Sequence, residues 1–534
     1  MSSSNNLPER WDSEVDLVCV GSSGGGLTAA IVARDAGLEV AVLEKADTFG
    51  GGTTYSAGAI WIPCNDQMAA LGLEDTREEA LGFLRGIGQG RHDEEMSAAY
   101  VDFGAETVRY LEQHAGLQME VDHFPGYYGD LLDGKPDGRR LSPNVESTTT
   151  RLESAVSEYP LLENVRSDPV PFLVGKRHRW AEGRGLIGTL LLGCLERGVE
   201  VLNEAPGRQL IVDDGRVVGI RAERNGADYY VKGRRGVLLA TGGFEWNAEM
   251  CKRYLNTPDM HGCTSPTNEG DGHIMGMEIG AATALMDHSI FQTTIRIPGE
   301  EVEGKPYYRL ISYGYPGNII VNGRGKRCCD ESHYPALGWA AMVHDRGDAS
   351  APNRPLYWIA DHGFRERFGV GMLKPKEQSA PWLFTGDTLE ALAENIGLPV
   401  DDFVATVDRF NEFARKGEDP DFRRGERLLD QYWGDLGCPE HEPNSALGPV
   451  EQAPFYAVEL HQGTMGNLGG LVTNVDAQVI DVRGNVIEGL YATSNCAAML
   501  SHGFGYESGS AVGRSLIFGY LAARHLSNSP ATSH

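Results

Sequence analysis

Apolar positions along this chain fall into short blocks, and the spacing within each block names an element. Asp16 to Val20 (DLVCV) is a brief apolar run bounded by polar residues, the pattern of a strand buried on both faces. GSSGGG follows at once, residues 21–26. LTAAIVARDAG then carries apolar residues at helical spacing and stops at Gly37. LEVAVLEK reads as a second buried strand ending at Glu44. A strand, turn, helix and strand within about thirty residues is the crossover unit that parallel strands require.

Further along, GLIGTLLLGCLERG (185–198) predicts an amphipathic helix. Residues 199–223 predict three short strands, with turns at Pro206-Gly207 and Asp214-Gly215. RGVLLATGGF (235–244) predicts a buried strand running into a glycine turn. From about 291 to 450, proline and charge rise and the glycine clusters stop. They return in HQGTMGNLGGL, VIEGLYATSNC and SHGFGYESGSAVG. The expected architecture is α/β: a Rossmann-like nucleotide-binding domain assembled from both chain ends (1–290 and 451–534). A second, α+β substrate domain is inserted at 291–450.

Composition narrows the function. The chain has 534 residues, enough for two to four domains and a large core. Its 68 glycines exceed the usual share of about 7% without a collagen period. Lys and Arg number 47 against 75 Asp and Glu, a net charge of -28, which repels nucleic acid and anionic lipid. Nine cysteines without a CxxC argue against a disulfide framework and a structural zinc site; no metal is expected. No apolar run approaches eighteen residues, so no transmembrane segment is expected. The start, MSSSNNLPERWDSEVD, has no basic-then-apolar leader, and the expected location is the cytoplasm.

The glycine turns carry the chemistry. A pyrophosphate needs bare N–H groups at a helix N-terminus. Gly21 and Gly26 fill the first and third places of the G-x-G-x-x-G pattern, and Ser23 fills the second. The Ser23 side chain narrows that approach, with Gly24 and Gly25 expected to relieve it. Glu44, eighteen residues after Gly26, stands where a ribose anchor belongs. A second glycine cluster in Phe49 to Pro63 points to FAD rather than to a nicotinamide, because backbone must pass close along the longer cofactor. Lys45, Gly51, Gly52, Thr53, Ser56 and Gly58 are its expected contacts. The turn at Ala240, Thr241, Gly242 and Gly243 adds more, as do Asn495, Ser510 and Val512. Asp271 either caps the helix after it or contacts the cofactor.

Taken in order, VCVGSSGGGLTAA, LEKADTFGGGTTYSAGAIWIP, ATGGFEWN, NEGDGHIMG and VIEGLYATSN resemble the flavoprotein family of fumarate reductases and 3-ketosteroid dehydrogenases. The resemblance spans residues 14–530. It implies non-covalent FAD in a two-domain cleft, and chemistry at a C=C bond next to an activating carbonyl. Two branches follow from it.

A fumarate-reductase-like enoate reductase clamps carboxylates with arginine; His461 with Arg309 or Arg514 would serve. Here, however, Tyr506 stands where that branch has its C-terminal arginine. The ketosteroid branch desaturates a ring ketone, and for this it needs a base and donors for the developing enolate. A phenol can donate or, with its pKa lowered, accept a proton.

The resemblance places Tyr127 or Tyr128 in the active site, Tyr315 (rival Tyr313) as base, and Tyr506 with the N–H near Gly509 on the ketone oxygen. Ser508 assists. The Y-x-S-G order is similar to the Δ4-(5α) type, whereas other segments resemble the Δ1 type. The expected substrate is a small apolar ketone, a 3-ketosteroid or a smaller cyclohexanone-type ring, with an external electron acceptor. A flavin-bearing binding or redox-sensing protein without turnover is the remaining alternative.

Overall fold

The structure is a computed structural model that describes residues 7–528 apart from 167–178, 256, 258–259, 311–313, 371–372, 376 and 378–379. Tyr313 therefore lies outside the described residues. The expected crossover unit is present: β1 (Ser13–Val20), α1 (Gly24–Asp35) and β2 (Val40–Leu43). β1 and β2 pair in parallel from Leu17↔Val40 to Val20↔Leu43. Helix α2 (Glu94–Ala115) covers the outside, and α3 (Glu182–Glu196) begins three residues before the apolar pattern does. The three short strands are β3 (Glu200–Leu202), β4 (Gly207–Asp213) and β5 (Arg216–Arg224). β6 (Ala227–Leu239) then returns beside β1 in parallel, and α4 (Asp271–Glu278) follows.

The second sheet is built from β7 (Ser289–Val302), β8 (Lys305–Arg309), β9 (Asn318–Asn322), β10 (Leu356–Ala360) and β11 (Phe455–Asn467). Helices of the same stretch include α5 (Tyr334–Ala341), α6 (Val400–Lys416) and α7 (Leu428–Gly437). The chain then rejoins the first sheet through β12 (Gln478–Ile480) and β13 (Val486–Ala492). It ends in α8 (Ser510–Asn528).

The first sheet runs β12-β13-β6-β1-β2-β3, with β4 and β5 folded antiparallel onto β6. Helix α1 is buried along most of its length because α8 packs on its other side. A Cβ at Gly519 would lie 2.3 Å from the Gly25 carbonyl oxygen, so glycine there sets the approach of the two helices. The second sheet runs β8-β7-β11-β10-β9. Its period-two alternation sorts side chains cleanly. Ile320, Trp358 and Val458 face one apolar cluster, while Ile319, Ile359 and Ala457 face Phe403, Val407 and Phe410 of α6.

This sheet draws on residues from 261 to 467, beyond the boundaries expected at 290 and 450, because the short strand His261–Gly262 also pairs β11. β11 is its central strand, pairing with both β7 and β10. The glycines of HQGTMGN marked a cluster but carried no information about which sheet the strand would join. Among the described residues no helix is long and apolar enough to cross a membrane.

Candidate active site

Two cavities meet at the C-terminal edge of the parallel strands. The smaller is lined by Gly21, Ser22, Ser23, Glu44, Lys45, Gly51, Gly52, Ala240, Thr241, Gly242, Asn268 and Asp271, among others. The larger, about 420 Å³, continues from it past Thr53, Ser56, Glu182, Glu245, Asn495 and Val512 into a chamber of aromatic side chains. Ser23, Gly52, Gly242 and Asn268 border both. One long ligand can therefore pass from the first into the second.

The glycine turn is as tight as a pyrophosphate requires. Gly21 sits at φ +103°, and a Cβ there would lie 2.4 Å from the Ala240 carbonyl oxygen. A Cβ at Gly26 would lie 2.3 Å from the Gly21 carbonyl oxygen. Ser23, at the second position, borders both cavities. It is the N-cap of α1, and its hydroxyl turns to within 2.7 Å of the Ser494 hydroxyl. Gly24 and Gly25 are not exposed to either cavity; they pack against Leu516 and Ser515 of α8. Gly58, Gly243 and Ser510 likewise support the walls without lining them. Ser510 donates its hydroxyl to the Glu507 carbonyl at 2.6 Å.

Glu44 is buried and accepts from the Ser22 and Ala46 N–H groups at 3.0 and 2.9 Å. Asp271 does not cap α4, because Gly270 occupies the cap position. Its carboxylate borders the smaller cavity and pairs with Lys45 at 2.9 Å.

These features fit FAD. The bare turn at a helix N-terminus suits the pyrophosphate, the buried Glu44 a ribose, and the shared border suits a dinucleotide running through both spaces. Across residues 16–512 the chain matches the family described as FAD binding domain. The chain belongs to this family, and FAD is its cofactor.

Within the family, the chain is 36% identical to 4-oxocyclohexanecarboxylate 2-dehydrogenase of Sinomonas cyclohexanicum, across 97% of this chain and 94% of that one. It is 35% identical to 3-oxosteroid 1-dehydrogenase of Mycobacterium tuberculosis, across 96% and 98%. The solved 3-ketosteroid Δ1-dehydrogenase of Sterolibacterium denitrificans superposes with a TM-score of 0.83 at 30% identity, covering 96% of this chain and 99% of that one. The chain is thus a flavoprotein oxidoreductase of the group that includes ring-ketone dehydrogenases.

The aromatic chamber is assembled from four places. The loop between the short strands Met119–Val121 and Arg140–Pro143 brings Phe124 and Tyr127. The start of α5 brings Tyr334, and α7 brings Tyr432, Trp433 and Leu436. The turn before α8 brings Tyr506, Ser508 and Gly509. The Tyr127 ring lies 4.8 Å from that of Tyr334 and 5.9 Å from that of Tyr506, so three phenols are in ring contact. Ser508 and Gly509 border the chamber beside Tyr127 and Tyr506.

Two of these phenols are held in their protonated form. Burial, reinforced by the neighbouring Glu507, pushes Tyr506 up to about 12. Burial does the same to Tyr127, with Tyr506 and Glu507 adding to it. Both groups stay protonated and therefore serve as donors.

Tyr315 does not border the chamber. Its ring stacks on Phe368 at 4.6 Å in the core of the second sheet. Tyr128 faces a neighbouring cavity with Leu131, Trp339 and Phe504, and its ring lies near His333. His461 stands among His261 and Tyr308, away from the chamber. Arg309 pairs with Glu300. Arg514 is buried beneath the 494–497 turn, donating to the carbonyls of Ser494 and Ala497. The carboxylate clamp that the reductase branch needs is not assembled by these three. Tyr334, Tyr432, Trp433, Arg140 and Glu245 were missed. For Tyr334 the local signal was present: His333-Tyr334-Pro335 places proline in the first helical turn.

Proposed function

We propose that the protein introduces a C=C bond next to the carbonyl of a ring ketone, with 3-ketosteroids as the substrate class. The observation that carries this is the chain of three phenols, Tyr334, Tyr127 and Tyr506, lining an aromatic chamber continuous with the dinucleotide cavity. FAD supplies the hydride acceptor when bound.

In this scheme the Tyr506 hydroxyl and the Gly509 N–H hold the ketone oxygen. Each is a donor where negative charge develops as the α-proton leaves. Tyr506 stays protonated far above neutrality, so it remains a donor throughout. Tyr334, as its phenolate, takes the α-proton and becomes the phenol, in the role first assigned to Tyr315. Tyr127, beside Ser508 in the chamber wall and edge-on to Tyr334, orients the ring. Phe124, Tyr432 and Trp433 cover the apolar rings and exclude water.

One feature favours a second, smaller substrate. Arg140 borders the chamber, paired with Asp122 at 2.6 Å, and can meet an anionic substituent on a cyclohexanone ring. The relative that acts on 4-oxocyclohexanecarboxylate agrees with that alternative.

Anaerobic mixing of the yellow holoenzyme tests the proposal. A saturated 3-ketosteroid should bleach the flavin and a cyclohexanone carboxylate should do so more slowly; the reverse order makes the smaller ring the substrate. If no ketone bleaches the flavin, while an unsaturated acid reoxidises the reduced enzyme, the desaturation reading fails.

A further inference from the structure

The segments that bear the phenols are tied together by residues that are not phenols. Glu507 stands between Tyr506 and Ser508 and is 2% exposed. Its Oε1 accepts the Ser508 N–H at 2.6 Å and the Tyr127 N–H at 2.9 Å. Its Oε2 lies 3.1 Å from the same Tyr127 nitrogen and accepts the Tyr128 N–H at 3.3 Å. Gly126, at φ +74°, lets the loop approach this closely: a Cβ there would lie 3.0 Å from both carboxylate oxygens.

On the far side of the same residue, the Tyr127 carbonyl oxygen is 3.2 Å from His333 Nε2. His333 Nδ1 accepts the Ala336 N–H and caps α5, whose first residue is Tyr334. Tyr127 is thus held through its N–H by the neighbour of Tyr506 and through its carbonyl by the neighbour of Tyr334.

We propose that the Glu507 carboxylate is a positioning residue that fixes the 126–128 loop against the 506–509 turn, so that Tyr127 and Tyr506 address one bound ketone. The proposal rests on the phenol-based reading above. Charge-assisted bonds to N–H groups are short and strong, and losing the acceptor would leave buried donors unpaired.

The same group responds to pH. Burial pushes Glu507 up to about 7, although the N–H groups of Tyr127, Ser508 and Tyr128, and then Arg140, pull the other way. Lys135, Asp137, Arg139 and Arg140 line the small space beside it. Arg139 is occupied by Asp75, Arg140 by Asp122, Lys135 by Glu79 and Asp137 by His123. The phenols of Tyr127, Tyr128 and Tyr506 move upward, chiefly through burial. His333 is held neutral, down to about 4, by burial and then by Arg427. Of these shifted groups, Glu507 alone moves toward neutrality.

The test is anaerobic flavin reduction in the Glu507→Gln and Glu507→Asp holoenzymes, measured from about pH 5 to 9 with a ketone that bleaches the wild type. Gln keeps one acceptor but turns donors toward the Tyr127 and Tyr128 N–H groups. Its limiting rate should fall about 10²-fold, with the ketone dissociation constant little changed and the inflection near pH 7 gone. Asp keeps the carboxylate and should recover part of the rate and the inflection. Amide exchange of the peptide carrying Tyr127 and Tyr128 should be slow in the wild type and fast in Glu507→Gln.

A wild-type rate in Glu507→Gln overturns the proposal. So does a loss shared equally by Gln and Asp with no change in the pH profile. If Glu507→Gln yields no yellow protein, the Asp variant and the wild-type inflection decide: a flat wild-type profile overturns it. If no ketone bleaches even the wild type, the desaturation reading falls by itself, and amide exchange alone judges the clamp.

Discussion

Tyr127 and Tyr334 meet edge to face, their ring centroids 4.8 Å apart and their planes at 83°. Tyr315 lies in another core, stacked on Phe368. Tyr334→Phe should therefore keep its flavin and lose the proton transfer, lowering the rate of anaerobic flavin reduction by about 10² or more. Tyr315→Phe should reduce its flavin at close to the wild-type rate. If the two variants exchange behaviours, the assignment of the base is wrong.

In the proposed scheme, removing the Tyr506 hydroxyl takes away one donor to the ketone oxygen. Tyr506→Phe should cost about 10²–10³ in turnover, or roughly 3–4 kcal/mol of transition-state stabilisation, with the yellow colour intact. Because burial pushes this phenol up to about 12, an alkaline limb well below that value should persist in Tyr506→Phe. Steady-state pH profiles of the two proteins check this.

Gly21 is at φ +103°, with the Ala240 carbonyl 2.4 Å from where a Cβ would stand. Gly21→Ala should push the turn off β6 and close the smaller cavity. Purified protein should then be colourless, while its far-ultraviolet circular dichroism remains that of the wild type. A fully yellow Gly21→Ala protein would show that the cofactor does not depend on this turn.

Glu507 also sets a direction for stability. Its folded-state value, raised by burial to about 7, lies above that of an ordinary glutamate. Between about 4.5 and 7 the folded chain therefore holds more of this proton than the unfolded chain does, and the contribution to stability is lost as pH rises through that window. Compared with the wild type, Glu507→Gln should gain in relative stability from acid to neutral pH. Urea midpoints of both proteins at pH 5 and pH 8 give the comparison.

The dinucleotide half was legible because its signals are local. Gly21, Gly26 and Glu44 sit within one strand-turn-helix-strand unit, and backbone conformation together with period placed them. The chamber was legible where glycine-punctuated turns contribute, as at Tyr127, Tyr506, Ser508 and Gly509. Tyr334 and Trp433 reach it through the tertiary docking of two short helices, for which periodicity gives no partner. Tyr315 was drawn in by the resemblance of its segment, in which it stands just before a strong strand. In the fold, the same apolar strand pulls that ring into its own core. The boundary at 450 failed for a related reason: β11 pairs across the second sheet with β7 and β10, and pairing is not written in composition.

The 126–128 loop and the 506–508 turn are bonded directly across nearly 380 positions of chain. Neither half of the polypeptide, expressed alone, can then carry a working set of proton-handling groups. In the proposed scheme, a chain cut just before Tyr506 should therefore show no turnover at any cofactor concentration.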